Sequence, residues 1–234
     1  MARLLIHVEG QAEEAFVNEV LADRLYGFGY ESVSARLLGN ARLRERRGGI
    51  RAWSTVRKDI INHLKEDIGC LATTMVDYYA LPQDGDGAWP GRAEAGHLPF
   101  SQKASHVERA LLVNLALAFG GEYEARRFIP FVVMHEFEGL LFSDCHAFAA
   151  GIGRPQLAQS FQDIRQQFHT PEEINDSPVD APSKRVERLV AGYEKPLFGS
   201  LAILEIGLDT ILAECPHFRD WLARLEAWPR DHAS

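Results

Sequence analysis

Leu4-Leu5-Ile6-His7-Val8-Glu9-Gly10 is the stretch that decides the fold class of this chain. Its first five residues form a short, nearly continuous apolar run, which is typical of a strand buried on both faces of a parallel sheet. Residues 11–25 follow directly and place apolar side chains three and four positions apart, the spacing of an amphipathic helix. The N-terminal region therefore predicts a strand-to-helix unit, with Glu9 and Gly10 at the turn.

The same alternation repeats along the first 150 residues. Further strands are predicted at Ser32–Leu38, Leu71–Val76 and Phe128–Met134. Further helices are predicted at Trp53–Leu64, Ser101–Phe119 and His135–Phe142. This order predicts an α/β fold with a mostly parallel four-stranded sheet and helices on both faces. The chain is helical in pattern from Pro155 onward, so we expect an α/β core over residues 1–150 and a helical extension packed on it over residues 151–234.

The composition is that of an ordinary globular protein, with 46% hydrophobic and 25% charged residues among 234. The longest apolar runs are far shorter than the roughly 20 residues that span a bilayer. The N-terminus has no signal-peptide pattern, so we expect a cytoplasmic protein without a membrane partner. Cys70, Cys145 and Cys215 lie far apart, which predicts buried thiols rather than a disulfide framework or a zinc site.

Acidic residues follow three of the four predicted strands. Glu9 follows the first strand, Asp77 follows the third, and Glu136 and Glu138 follow the fourth. Because the carboxyl ends of parallel strands meet at one edge of a sheet, we expect these carboxylates to cluster there. Glu13 joins them, since its position on the first helix places it on the apolar stripe. Clustered carboxylates are the ligands that Mg²⁺ or Mn²⁺ prefers.

A purely structural interpretation of these acids stays open. Acids in the first turn of a helix are stabilised by its dipole, which would account for the glutamates. An aspartate directly after a strand is also a common turn residue.

Basic residues gather locally in a chain whose net charge is −8. Phosphate binding needs such gathering in an acidic protein. Arg44, Arg46 and Arg47 lie in an Arg-rich loop, and Lys184 and Arg185 begin a helix where cations oppose the dipole. We expect the four arginines to contact nucleic acid and Lys184 to act as a catalytic cation, although such residues are also common on solvated surfaces.

The segment from Tyr78 to Pro99 holds seven Gly or Pro residues. A connection of this length in a compact domain is usually functional or mobile, so we expect a lid over the acids. Trp89 is a candidate for stacking on bases, with packing of the loop as the alternative.

The chain resembles the Toprim (topoisomerase–primase) superfamily, and more closely a small bacterial Toprim-like family related to the nuclease half of overcoming-lysogenization-defect proteins. The resemblance rests on four motifs. They are Val8-Glu9-Gly10-Gln11 with Glu13-Glu14, Thr74-Met75-Val76-Asp77-Tyr78-Tyr79 with Leu81-Pro82, Met134-His135-Glu136-Phe137-Glu138 with Leu140-Leu141-Phe142, and Cys215-Pro216-His217-Phe218 with Trp221.

By position, the resemblance implies that Glu9 is an acid or metal ligand, Glu13 a second ligand and Asp77 the first acid of the third-strand motif. That motif usually has a second Asp two residues later, where this chain has Tyr79. Glu136 or Glu138, or Asp84 and Asp86, are the candidate replacements.

The function implied is that of a Mg²⁺- or Mn²⁺-dependent nuclease, a phosphodiester hydrolase, with a role in phage defence. Its expected partners are nucleic acid, a separate ATPase subunit and a second copy of the chain. The competing hypothesis is a non-catalytic regulatory or binding subunit with the same fold, which the replacement of an acid by Tyr79 favours. DNA, RNA and a small phosphate ester all stay open as substrates.

Overall fold

A parallel sheet forms the centre of the computed structural model, which describes residues 2–38, 49–120, 125–175 and 177–231. Its strands are β1 Ala2–Val8, β2 Tyr30–Leu37, β3 Cys70–Asp77, β4 Phe128–Ile129 and β5 Val132–Val133. The order is β2-β1-β3-β4, and β5 also pairs with β3. Each of these pairs is parallel. The predicted α/β fold with a parallel sheet is confirmed.

The predicted fourth strand is divided into β4 and β5. Pro130 lies between them and has no N–H to give to the strand ladder. Threonine side chains of β3 bridge the break instead. Thr73 Oγ1 donates to the Ile129 carbonyl at 2.5 Å, and Thr74 Oγ1 donates to the Phe131 carbonyl at 2.9 Å while accepting from the Phe131 N–H at 3.0 Å. The strand prediction was therefore correct in place but wrong in continuity.

Helices surround the sheet. The first, α1, is α-helical over Gln11–Phe16, π-helical over Val17–Leu21 and α-helical again over Ala22–Tyr26. The others are α2 Trp53–Glu66, α3 Arg92–Ala95, α4 Phe100–Phe119, α5 Cys145–Gly151, α6 Ala158–Arg165, α7 Pro182–Leu189, α8 Lys195–Ile206, α9 Leu208–Glu214 and α10 Pro216–Asp231. Short 3₁₀ turns occupy Tyr78–Ala80, Gly85–Gly87, Phe137–Ser143, Pro155–Leu157 and Pro171–Glu173. The helix predicted after His135 is thus a 3₁₀ turn.

Side chains of β3 alternate between two hydrophobic cores, one on each face of the sheet. Leu71 and Met75 pack in the core that contains α1 and α10. Ala72 and Val76 pack in the core that contains α2 and α4. Helices therefore cover both faces, as predicted.

The C-terminal helix packs directly on the sheet. The indole N–H of Trp221 donates to Thr73 Oγ1 at 2.9 Å, and its ring stacks on Phe131 with centroids 4.3 Å apart. The last helices thus share a core with β1. The division at residue 150 stays a prediction. All three cysteines are buried, as predicted.

None of the helices in the described ranges is, by itself, both long and apolar enough to cross a membrane. One pair, α8 with α9, meets that requirement only jointly, and the two helices are bent by 86° relative to each other.

The long connection after β3 packs against the core. Trp89 is 2% exposed, its indole N–H donates to the Arg51 carbonyl at 2.9 Å, and its ring lies 5.1 Å from that of Trp53. Arg92 donates to the Tyr78 carbonyl at 2.9 Å and lies 3.8 Å above its ring. The aromatic residues hold the segment down, so the expectation that Trp89 stacks on bases is not supported.

Candidate functional site: a buried carboxylate cluster

The strand ends bring Glu9 and Asp77 together. Strands β1 and β3 pair with Val8 opposite Met75, so both acids follow at the same carboxyl edge. The Asp77 backbone N–H donates to Glu9 Oε2 at 3.4 Å. Asp77 is 7% exposed although it carries a carboxylate. The first acidic pair of the predicted cluster is therefore adjacent.

Glu13 turns from α1 toward the same edge. It is 6% exposed, and a Cβ built on Gly10 would lie 3.0 Å from Glu13 Oε2. Gly10 is thus a close-approach glycine, because a larger residue would press on the carboxylate. Glu14, the next residue, is half-buried.

The 3₁₀ turn after β5 supplies the remaining acids. Asp77 Oδ1 accepts from the Phe137 N–H at 2.8 Å, which fixes the turn against the end of β3. On either side of Phe137, Glu136 is 6% exposed and Glu138 is 3% exposed. Glu136 Oε2 accepts from the Ser183 N–H at the start of α7, at 2.8 Å. All five predicted acids therefore lie in one region, where Glu9 is half-buried and the other four are buried.

Lys195, the first residue of α8, places a cation beside these acids. Its Nζ donates to Glu138 Oε2 at 3.1 Å and lies 4.0 Å from Glu136 Oε1. Lys184, the predicted catalytic cation, pairs with Glu187 at 2.7 Å on an exposed part of α7, and its catalytic role stays a prediction. Lys195 lies 57 residues after Glu138. No local pattern distinguishes it from a surface lysine.

Of the four predicted arginines, the structure describes only Arg185. Arg185 is engaged locally, since its Nε donates to the Asp180 carbonyl at 2.8 Å and its guanidinium lies 5.3 Å from the Phe168 ring centroid. Arg44, Arg46 and Arg47 lie outside the described residues.

The ends that flank residues 39–48 both lie at the acidic edge. The Leu38 N–H donates to the Val8 carbonyl at 2.9 Å, and the Gly49 N–H donates to the Glu9 carbonyl at 2.8 Å. The residues that precede and follow the Arg-rich segment are therefore both bonded to the backbone at or next to Glu9.

His135, which directly precedes Glu136, lies in the core. Its Nδ1 donates to the Ile174 carbonyl at 2.6 Å, and its ring contacts those of Tyr78 and Phe100 edge-on. Tyr79 is 36% exposed, and its N–H donates to the His135 carbonyl at 2.9 Å.

Burial and mutual repulsion weaken the acidity of the cluster. Burial raises the pKa of Glu9 to about 7, and its acidic neighbours add to the shift. Burial also raises the pKa of Glu13 to about 7, with repulsion from Glu138 and Glu9 adding to it. The pKa of Asp77 is raised well above its ordinary value by burial first and then by the surrounding carboxylates. Burial likewise raises the pKa of Glu138, although Lys195 opposes the rise.

These shifts predict how the stability of the metal-free protein depends on pH. Glu9 and Glu13 bind protons in the folded state up to a pKa of about 7, against an ordinary value of 4.5. The folded state therefore holds more protons than the unfolded state within this window. The free energy of unfolding should fall by about 4 kcal/mol as the pH rises through it, about 2 kcal/mol for each group. Urea unfolding between about pH 5 and 8 measures the change.

The matched control is the Glu9→Gln, Glu13→Gln double variant. It keeps the size of both side chains but cannot titrate, so its stability should depend less on pH. A wild-type chain that gains stability as the pH rises through this window would contradict the assignment.

The donor atoms are not yet arranged as a metal centre. Across residues 2–38, 49–120, 125–175 and 177–231, no group of three or more His, Cys, Asp or Glu side chains surrounds one point as metal ligands do. Asp77, Glu136 and Glu138 are each held by a protein donor instead. Binding a cation here would require these side chains to turn.

Fold and site together define an α/β protein with a buried carboxylate–lysine cluster at the carboxyl edge of a parallel sheet. A family model described as a domain of unknown function, DUF4276, matches residues 8–226. The chain belongs to this family.

A solved structure, the C-terminal region of the OLD protein of Xanthomonas campestris pv. campestris, is similar with a TM-score of 0.42 and 17% identity. The alignment covers 95% of this chain and 97% of that one. No curated protein matches the sequence.

Proposed function

We propose that this chain is a metal-dependent, nuclease-like phosphodiesterase that acts on nucleic acid. The observation that carries the proposal is the convergence of buried and half-buried carboxylates from three separate parts of the chain near one lysine. Glu9 follows β1, Asp77 ends β3, and Glu138 follows β5 beside Lys195. Burying several acids together is costly unless a cation is bound between them. The resemblance of the sequence to Toprim domains supports the same function.

Mg²⁺ or Mn²⁺ is the proposed cofactor, because the cluster offers only hard oxygen donors. The proposed ligands are Glu9, Glu13, Asp77 and one of Glu136 or Glu138. When bound, such an ion supplies an activated water and offsets negative charge at the phosphate.

The glutamates after β5 are better replacements than Asp84 and Asp86 for the acid that Tyr79 displaces. Asp84 and Asp86 are exposed at the 3₁₀ turn Gly85–Gly87. Glu136 and Glu138 are buried beside Asp77 instead.

Lys195 takes the role first predicted for Lys184. Burial disfavours its charge, yet the carboxylates beside it outweigh burial and hold the pKa of Lys195 above its ordinary value. The side chain thus stays protonated and is 42% exposed. A fixed positive charge with access to solvent is suited to stabilising a phosphate oxygen as charge develops on it.

The nucleic-acid contact is proposed for Arg44, Arg46 and Arg47. Their segment is attached beside Glu9 at both ends, through Leu38 and Gly49. Local positive charge at this edge would offset the repulsion that an acidic protein exerts on phosphate.

A separate ATPase subunit and a role in phage defence belong to the same proposal. These 234 residues contain no phosphate-binding loop of the GxxxxGK[ST] type, so the proposed ATP hydrolysis is not supplied by them. A second copy of this chain stays a candidate partner.

The competing function is that of a regulatory subunit without catalysis. One specific observation favours it, namely that Tyr79 stands where the Toprim motif has its second acid. A subunit that only binds partners would have no need to hold a divalent ion at Asp77.

The test is cleavage of supercoiled DNA and of single-stranded RNA by the full chain, alone and with an ATPase partner. We expect nicking or degradation with Mn²⁺ or Mg²⁺ and none in EDTA. Isothermal titration with Mn²⁺ separates the two functions. Absence of Mn²⁺ binding would favour the regulatory subunit, and cleavage that continues in EDTA would show that the activity is not metal-dependent.

A further inference from the structure

Helix α8 is apolar on both of its sides. Gly199, Ala202, Ile203 and Ile206 face the core. On the outer side, Leu197, Leu201 and Leu204 are 53%, 43% and 54% exposed. A helix at the surface of a soluble protein normally presents polar residues to water, so an outer row of leucines calls for a covering partner.

The three exposed leucines form one straight row, here named the Leu stripe. Their spacing of four and then three residues places them on one helical face. At 1.5 Å per residue the stripe is roughly 10 Å long. Its three residues are far fewer than the roughly 20–30 residues that each side contributes to a stable interface between folded proteins. The stripe instead has the size and spacing by which two single helices pack together.

Exposed acids stand at both ends of the stripe. Glu194 precedes α8, and Glu205 lies beside Leu204. Packing of the stripe on its counterpart in a second copy would bring these glutamates near each other in either helix direction. The net charge of −8 adds to that repulsion. Lys195, the cation of α8, does not relieve it, because it is paired with Glu138. The charges therefore disfavour a second copy and favour a basic segment.

We propose that the Leu stripe docks an amphipathic helix of a partner protein, one with apolar residues at three- and four-residue spacing and Lys or Arg at its flanks. Apolar contact with the three leucines would supply the affinity. Pairing of the basic flanks with Glu194 and Glu205 would set the orientation and the specificity. The docking is independent of the proposed nuclease function.

The probe is a labelled synthetic helix with leucines at this spacing and lysines elsewhere, and its binding to the full chain is measured by fluorescence anisotropy. Leu201→Glu with Leu204→Glu should weaken binding at least tenfold. Added salt should weaken binding to the wild type, because the flanking pairs are exposed. A peptide with glutamate in place of lysine should bind at least tenfold more weakly. Circular dichroism checks that the variants fold. If the double variant does not fold, the milder Leu201→Gln variant replaces it in the binding assay.

The matched control is Leu117→Glu on α4, where Leu117 is 78% exposed beside a different apolar groove. This variant should bind the lysine peptide like the wild type. Equal binding to the wild type and the stripe variants would overturn the proposal, as would loss of binding in Leu117→Glu alone. A wild-type dimer that the Leu201→Glu, Leu204→Glu variant converts to a monomer in sedimentation would assign the stripe to a second copy instead.

Discussion

The Asp77→Asn variant should lose metal-dependent cleavage by at least about a thousandfold and yet unfold at a higher temperature than the wild-type chain when no metal is present. The amide keeps an oxygen that accepts the Phe137 N–H, which Asp77 binds at 2.8 Å. It removes an acid whose pKa is raised by burial first and by the neighbouring carboxylates second, so the cost of burying that acid falls. Geometry is thus preserved while repulsion and metal affinity both fall.

Two measurements check this prediction. Melting curves with and without Mn²⁺ should show a metal-dependent gain for the wild type and none for Asp77→Asn, since a ligand stabilises only the state that binds it. Plasmid cleavage should follow the same pattern. The control is Asp84→Asn, which removes an exposed acid seven positions along the chain and should change neither result. Cleavage that persists in Asp77→Asn would assign the activity to other residues or to a contaminant.

The Lys195→Met variant should lower cleavage by roughly a hundredfold and the free energy of unfolding by about 2 kcal/mol at high pH. Methionine keeps most of the packing of the lysine stem but leaves Glu138, 3% exposed, without its cation. The effect on stability is smaller than for a fully buried pair, because the Lys195 side chain is 42% exposed. At about pH 5 the loss should shrink, since Glu138 can take up a proton instead.

Lys184→Met is the matched control for this variant. Lys184 and Glu187 form an exposed pair with side chains 49% and 40% accessible, and such pairs contribute about 0.5 kcal/mol or less. Urea unfolding at two pH values and the cleavage assay compare the variants. A loss of stability in Lys195→Met that is the same at both pH values would point to packing, and activity lost in Lys184→Met alone would restore the original prediction.

The strand ends could be predicted from the sequence because short apolar runs and following acids are local signals. Glu9 and Asp77 needed only the rule that parallel strands end at one edge. The break at Pro130 was equally visible, since proline within a strand interrupts its ladder, although the predicted strand ran through it. Its repair by Thr73 and Thr74 was not visible, because it depends on the register between strands.

The contacts of Lys195 and Trp89 could not be predicted from local sequence patterns. Lys195 reaches Glu138 only because α8 packs against α1 and the turn after β5. The two residues are 57 positions apart, so their contact produces no local pattern in the sequence. Trp89 lies in a segment rich in Gly and Pro, a composition shared by mobile loops and by loops that are packed down. Its burial against Trp53 follows from tertiary contacts alone.

Protonation of the acid cluster lowers the negative charge that a polyanion would encounter at this edge of the sheet. The formal charge of −8 counts every carboxylate as ionised. With the pKa values of Glu9 and Glu13 raised to about 7 and that of Asp77 raised well above its ordinary value, the metal-free protein at neutral pH keeps part of this negative charge masked by bound protons. A nucleic acid arriving at this edge would face less repulsion than the composition suggests. Uptake of a divalent ion would expel these protons, so the apparent affinity for metal should strengthen with rising pH, and the release could be counted in a weakly buffered solution.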